Sequence, residues 1–174
     1  MPRSFDMSAD YGGSVEDVHR AFSERDYWLA RLADSGVDET KLESMRVGGE
    51  SGNDGTIDVV TLQVWHSNHL PGLVTQLHRG DLRIRREETW GPITDGFATA
   101  SIAGSILNAP VNLSGTAELS PIAGSRGARL EFWVTVQVRI PIVGGKVEKL
   151  IGSVLADLVG MEQRFTTKWI ANHA

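Results

Sequence analysis

Arg86 and Glu88 are the first candidates for polar chemistry, because they share a face that is otherwise apolar. In the run Leu82 to Trp90, residues Leu82, Ile84, Arg86, Glu88 and Trp90 alternate with polar neighbours, and the period of two of a strand puts all five on one side. If the apolar members face a core, Arg86 and Glu88 face it too. Buried charge is costly unless paired or solvated. The pair is therefore expected either to line a wet cavity and grip a ligand's polar head, or to sit at a strand end in water or beside a register-flipping bulge. His66 and His69, with His78 further on, are the only histidine cluster, but no carboxylate is interleaved and the stretch reads as a polar loop. No metal site is expected there. Gly144-Gly145-Lys146 sits at a strand-to-helix junction as a phosphate loop does. Ile140 and Val147 stand where that motif needs a glycine and a Ser or Thr, so the segment reads as a helix start. No Gly-x-Ser-x-Gly elbow surrounds Ser105, Ser125 or Ser153, and the chain has no cysteine, which argues against a nucleophilic hydrolase.

The elements that must position these residues are legible from periodicity. Arg3 to Tyr11 alternates as a strand, and Gly12-Gly13 breaks it. Ser14 with Asp17 three positions on predicts a capped helix carrying Val15, Val18 and Phe22, and Tyr27, Trp28, Leu29 and Leu32 predict a second, stopped at Ser35-Gly36. Strands follow at Lys41 to Val47 and, after Gly48 to Gly55 with its Asn-Asp-Gly, at Thr56 to Trp65. Leu82 to Trp90, Phe97 to Ile106, Val111 to Leu119 and Ala128 to Ile140 complete seven, mostly in a meander. Leu70 to Leu77 could form one or two helical turns. Val147, Leu150, Ile151, Val154, Leu155, Leu158, Met161, Phe165 and Trp169 recur at three and four residues, predicting one long amphipathic helix of roughly 40 Å. Val147, Val154, Leu158, Met161 and Phe165 are expected against the sheet, with Glu148, Lys149, Asp157, Gln163, Arg164 and Lys168 opposite. In the last strand, Leu130, Phe132, Val134, Val136 and Val138 make the apolar face and leave Trp133 outside, as a partner surface or beneath a neighbouring side chain. Small residues at Ala98, Ala100, Ala103, Gly104 and Gly115, with Gly152 and Gly160 in the helix, either leave volume or permit close packing.

This order of elements, with Ile140-Pro141-Ile142-Val143-Gly144-Gly145-Lys146-Val147-Glu148 at the turn into the last helix, resembles the helix-grip fold of the START-like superfamily. That superfamily also includes birch-pollen-allergen-like proteins and polyketide cyclases, and the wording is similar to an uncharacterised actinobacterial family within it. The resemblance implies an α+β domain spanning 1–174, whose seven-stranded antiparallel sheet curls around the helix. It also implies an apolar ligand cavity, of about 300 Å³ or more if of useful size, with the His66 to Arg79 segment at its mouth. Arg86, Glu88, Trp90, Phe132, Val154, Leu158, Met161 and Phe165 are then the expected ligand contacts.

Composition excludes several other functions. At 174 residues and 41% hydrophobic, the chain suits one domain with one core. A net charge of −5 removes the long-range attraction to phosphate that a nucleic-acid binder needs. The start carries charges where a signal peptide would be apolar, and no run approaches the ~18 apolar residues of a membrane span, so the expected location is cytoplasmic. The expected function is binding of a small hydrophobic molecule as carrier or sequestering protein, with no cofactor implied. Two alternatives are a cyclase- or dehydratase-like enzyme using Arg86 and Glu88 on a polyketide-like substrate, and a protein-interaction module using Trp133 and the outer sheet.

Overall fold

The computed structural model describes residues 2–66 and 80–173. Strand β1 (Arg3–Tyr11) leads into helices α1 (Val15–Phe22) and α2 (Arg25–Asp34). Strands β2 (Glu39–Val47), β3 (Ile57–Trp65), β4 (Leu82–Trp90), β5 (Ala98–Ile106), β6 (Val111–Pro121) and β7 (Ala128–Val138) follow, then the 30-residue helix α3 (Gly144–His173). The strands form one antiparallel sheet in the order β1-β7-β6-β5-β4-β3-β2. The first strand thus joins the last, and β1 and β2 are the edges. This is the α+β helix-grip architecture that the element order suggested.

Local chemistry accounts for the starts. The Ser14 hydroxyl accepts the Asp17 N–H at 3.1 Å while Asp17 accepts the Ser14 N–H at 3.0 Å, a reciprocal cap on α1. Between β2 and β3, Gly48 and Gly55 hold positive φ at 88° and 83°, which the connecting turn requires.

Register fixes what the inner face presents. One cross-strand row runs Met7, Phe132, Ala117, Ala100, Trp90, Ile57, and the next runs Phe5, Val134, Gly115, Ile102, Glu88, Val59. A third holds Val136, Leu113, Gly104, Arg86 and Thr61. Arg86 and Glu88 therefore lie on the inner face, with no bulge in β4 to flip them.

Helix α3 packs on β1 and β7 and touches α1 and α2. Its buried positions are Gly144, Val147, Glu148, Gly152 and Thr166. The expected inward stripe is corrected at two places: Val154 is 57% exposed and Met161 40% exposed. Because the helix leans on the β1–β7 side, its contact stripe runs through 148, 152 and 166, and these two side chains lie off it. Glu148, expected on the solvated side, is buried, and its Oε2 accepts the Val138 N–H at 3.0 Å at the end of β7. Gly152 permits close packing rather than leaving volume, since a Cβ there would overlap the Phe5 ring. Strand β7 ends at Val138, two residues before the expected Ile140, where the Arg139 N–H turns to Pro110 O at 2.9 Å. Phe97 precedes β5 and is exposed.

Candidate functional site

Four charged side chains from three elements converge on the inner face. Arg86 and Glu88 come from β4, Arg31 from α2 and Glu162 from α3. Glu162 Oε2 lies 2.6 Å from Arg31 Nη2 and 2.8 Å from Arg86 Nη2. Glu88 Oε2 lies 3.2 Å from Arg86 Nε and 3.9 Å from Arg31 Nη2. The cluster is charge-balanced, with two guanidiniums and two carboxylates, as burial of this many ions requires.

A second layer orients it. The Thr166 hydroxyl donates to the Glu162 backbone oxygen at 2.7 Å. Its single proton is thereby committed, so the Tyr27 hydroxyl, 2.6 Å away, donates to Thr166 and accepts from Arg31 Nη1 at 3.3 Å. The Arg31 guanidinium also lies 4.6 Å from the centroid of Trp28, within cation–π range. Burial would push the Glu162 carboxyl up, but Arg31 and Arg86 outweigh it and hold the group below its ordinary 4.5. Burial likewise opposes the charge on Arg31, and Glu162, with Tyr27 and Glu88, more than offsets it. A carboxylate held ionised this way is a fixed charge rather than a proton carrier near neutral pH.

Two buried donors are left over. Among the described residues, Arg86 Nε and Trp90 Nε1 have no hydrogen-bond acceptor; Arg86 Nε is near Glu88 but misaligned for a hydrogen bond. Beside the cluster is a void of about 20 Å³, lined by Trp28, Leu32, Thr61, Leu158, Met161 and Phe165 together with the charged groups Arg31, Arg86 and Glu162. That is room for one water molecule, far below the volume expected of a ligand cavity. Next to it, Ile84, Ile102, Ile106 and Leu113 on the inner face are only partly buried.

Of the eight expected contact residues, Arg86, Leu158, Met161 and Phe165 line the void, and Glu88 joins the ion cluster. Trp90 and Phe132 instead belong to the packed core, Trp90 with its ring 5.2 Å from Phe22, and Val154 stands exposed on α3. Arg31 and Glu162 escaped the sequence reading. A signal existed: Glu162 sits between Leu158 and Thr166 at four-residue spacing, and Arg31 is four residues from Tyr27 on the buried side of α2.

The remaining sequence candidates fall elsewhere. His66 Nε2 lies 2.9 Å from Glu39 Oε2 and the His66 backbone N–H donates to Asp38 Oδ2 at 2.7 Å, while His69, His78 and the Leu70 to Leu77 turns lie outside the described residues. So does most of the expected cavity mouth. Trp133 is 40% exposed on the outer face, between Asp6 and Thr116, as its alternation predicted. No helix among the described residues is long and apolar enough to cross a membrane.

Comparison with known proteins gives the fold and the family. A Thermus thermophilus protein of known structure is similar over 99% of both chains, with a TM-score of 0.64 at 14% identity. The Zhui aromatase/cyclase from a Streptomyces species matches with TM-score 0.63 at 7% identity, covering 98% of this chain and 94% of its own. Norcoclaurine synthase from Thalictrum flavum matches with TM-score 0.58 at 10% identity, covering 98% and 87%. Uncharacterized proteins of Mycobacterium tuberculosis and Mycobacterium bovis are 70% identical over 173 residues, 99% of each chain, so the expected actinobacterial affinity holds for these relatives. With residues 6–170 matched, the chain belongs to the family described as protein of unknown function (DUF2505).

Proposed function

We propose that the protein binds a small, uncharged, largely apolar molecule between the inner face of the sheet and α3, holding its polar end at the Arg31–Arg86–Glu88–Glu162 cluster. The observation that carries this reading is the buried Trp90 Nε1, a donor without an acceptor on the same face of β4 as the Arg86–Glu88 pair. A buried N–H without an acceptor costs about 1–3 kcal/mol, and a ligand oxygen would recover it. Because the cluster is already balanced, a charged head group would bury one uncompensated charge. A carbonyl or hydroxyl would not. The partly buried Ile84, Ile102, Ile106 and Leu113 supply the apolar surface. Since the void holds only about 20 Å³ and Trp90 does not line it, binding requires α3 to yield around Leu158 and Met161, the half-buried and exposed members of its wall, and the packing about Trp90 to open. The related folds support the reading by analogy, as the aromatase/cyclase and norcoclaurine synthase by name act on small organic molecules.

The test is titration with Nile red, an uncharged dye with a carbonyl oxygen, against the wild type and Leu158→Trp, which fills the void. Saturable fluorescence in the wild type and at least tenfold weaker binding in a Leu158→Trp protein that still melts cooperatively is the expected result. Equal response in both proteins, or none in either, overturns the proposal. Leu158→Phe gives the same readout if the larger ring prevents folding.

A further inference from the structure

The loop between β7 and α3 carries a residue whose backbone and surroundings both need explaining. Ile142 holds a φ of +73°, a region that β-branched side chains avoid, and its side chain is 101% exposed. The conformation is fixed by the fold, because the Val143 N–H donates to Pro141 O at 2.8 Å, closing a γ-turn around Ile142, and the Gly144 N–H donates to Ile140 O at 3.1 Å. The chain thus spends strain to aim an isoleucine at solvent, where its side chain gains nothing from burial.

The charges around this tip are of one sign. Arg139 precedes the loop, Lys146 and Lys149 lie in the first turns of α3, and Arg3 reaches to within 3.9 Å of the position a Cβ would take on Gly145. All four are exposed, and among the described residues none makes an ion pair. The one carboxylate in this stretch, Glu148, is turned inward onto the Val138 N–H. In a chain of net charge −5 this is a local basic pole, not a general property. Beyond Lys146, Leu150 and Val154 follow at four-residue spacing along α3, 36% and 57% exposed, and add two apolar side chains to the same side of the helix as Lys146.

We propose that this pole docks on an anionic lipid surface, with Ile142 entering the apolar layer and Arg3, Arg139, Lys146 and Lys149 resting on headgroup phosphates. An exposed apolar residue in a stretch whose exposed charges are all cationic matches the layering of such a surface, where acyl chains lie beneath anionic groups. Docking is peripheral and uses none of the residues of the inner-face cluster, so it stands or falls separately from the ligand reading.

The experiment is vesicle co-sedimentation with phosphatidylcholine alone and with equimolar phosphatidylcholine and phosphatidylglycerol. The expected result is binding to the mixed vesicles only, weakened by salt, by about fivefold in each of Lys146→Gln and Lys149→Gln, and by at least tenfold in Ile142→Asp. Ile142 is fully exposed, so its replacement leaves the fold intact, which the melting curve verifies. Because the chain has no native cysteine, Ile142→Cys carrying an environment-sensitive dye reports insertion at one site, and Thr116→Cys on the outer face is the control. A blue shift at 142 and none at 116 supports the proposal. Absence of binding, equal binding to both vesicle types, or binding indifferent to Ile142→Asp overturns it. So does concentration-dependent self-association without lipid that Ile142→Asp abolishes, which would assign the surface to a second copy of the chain.

Discussion

At the scale of single residues, Glu162 is the pivot of the inner-face cluster, since both guanidiniums share its Oε2. Glu162→Gln removes one charge of a buried, balanced set and is expected to cost about 3–5 kcal/mol, the scale for breaking a buried ion pair by deleting one partner, measured by urea unfolding. The pH dependence carries the same signature. With its carboxyl held below the ordinary 4.5 in the folded protein, Glu162 stabilises fully above that value, and the contribution is lost as pH falls through the lower folded pKa. The wild-type urea midpoint should therefore drop on acidification below 4.5 more steeply than that of Glu162→Gln. His66 titrates in the other direction. Its hydrogen bond to Glu39, aided by Asp38, raises its pKa above the ordinary 6.5, so the tie it makes to the start of β2 is present at lower pH and lost as pH rises through the raised value. An NMR titration should place the His66 midpoint above 6.5 and return it toward that value in Glu39→Gln.

At the scale of elements, the contact between α3 and β1 depends on a missing side chain. Gly152 lets the helix meet the Phe5 ring directly. Alanine at 152 would gain ~1 kcal/mol in helix propensity but lose about 1–3 kcal/mol to overpacking. Gly152→Ala should therefore lower the melting temperature, and adding Phe5→Leu, which removes the obstructing ring, should recover part of the loss. The sequence revealed strands and helices well because period two and period 3.6 survive in single residues such as Leu82, Ile84 and Trp90. It also placed Arg86 and Glu88 correctly, since their alternation is local. It could not reveal which flank of a 30-residue helix the sheet would choose. Val154 and Met161 belong to the apolar repeat as firmly as Val147 does, and only the lean of α3 toward β1 and β7 leaves them exposed. Glu148 was misplaced for a related reason: a charged residue at a helix start suggests solvent until the Val138 N–H that it satisfies is visible.

At the scale of the whole molecule, the sheet brings together what the chain keeps apart. Arg31, Glu88 and Glu162 are distant in sequence, and no spacing rule joins them until α2 and α3 are laid over β4. The size of the void was equally hidden. Small residues at Gly104 and Gly115 suggested room, but in register Gly104 stands beside the long Arg86, and a Cβ on Gly115 would crowd Phe132 and the backbone of β7. The central claim is that a neutral ligand places an oxygen on a buried, unpaired donor, and the indole N–H of Trp90 reports this directly. The measurement is a ¹⁵N–¹H correlation spectrum of the indole region during titration with decanol, with the Trp90 signal assigned by its loss in Trp90→Phe. A saturable downfield shift of the Trp90 indole proton, larger than that of the other tryptophans, is the predicted result. A Trp90 indole that stays in place while decanol shifts only the exposed Trp133, or shifts nothing, would contradict it.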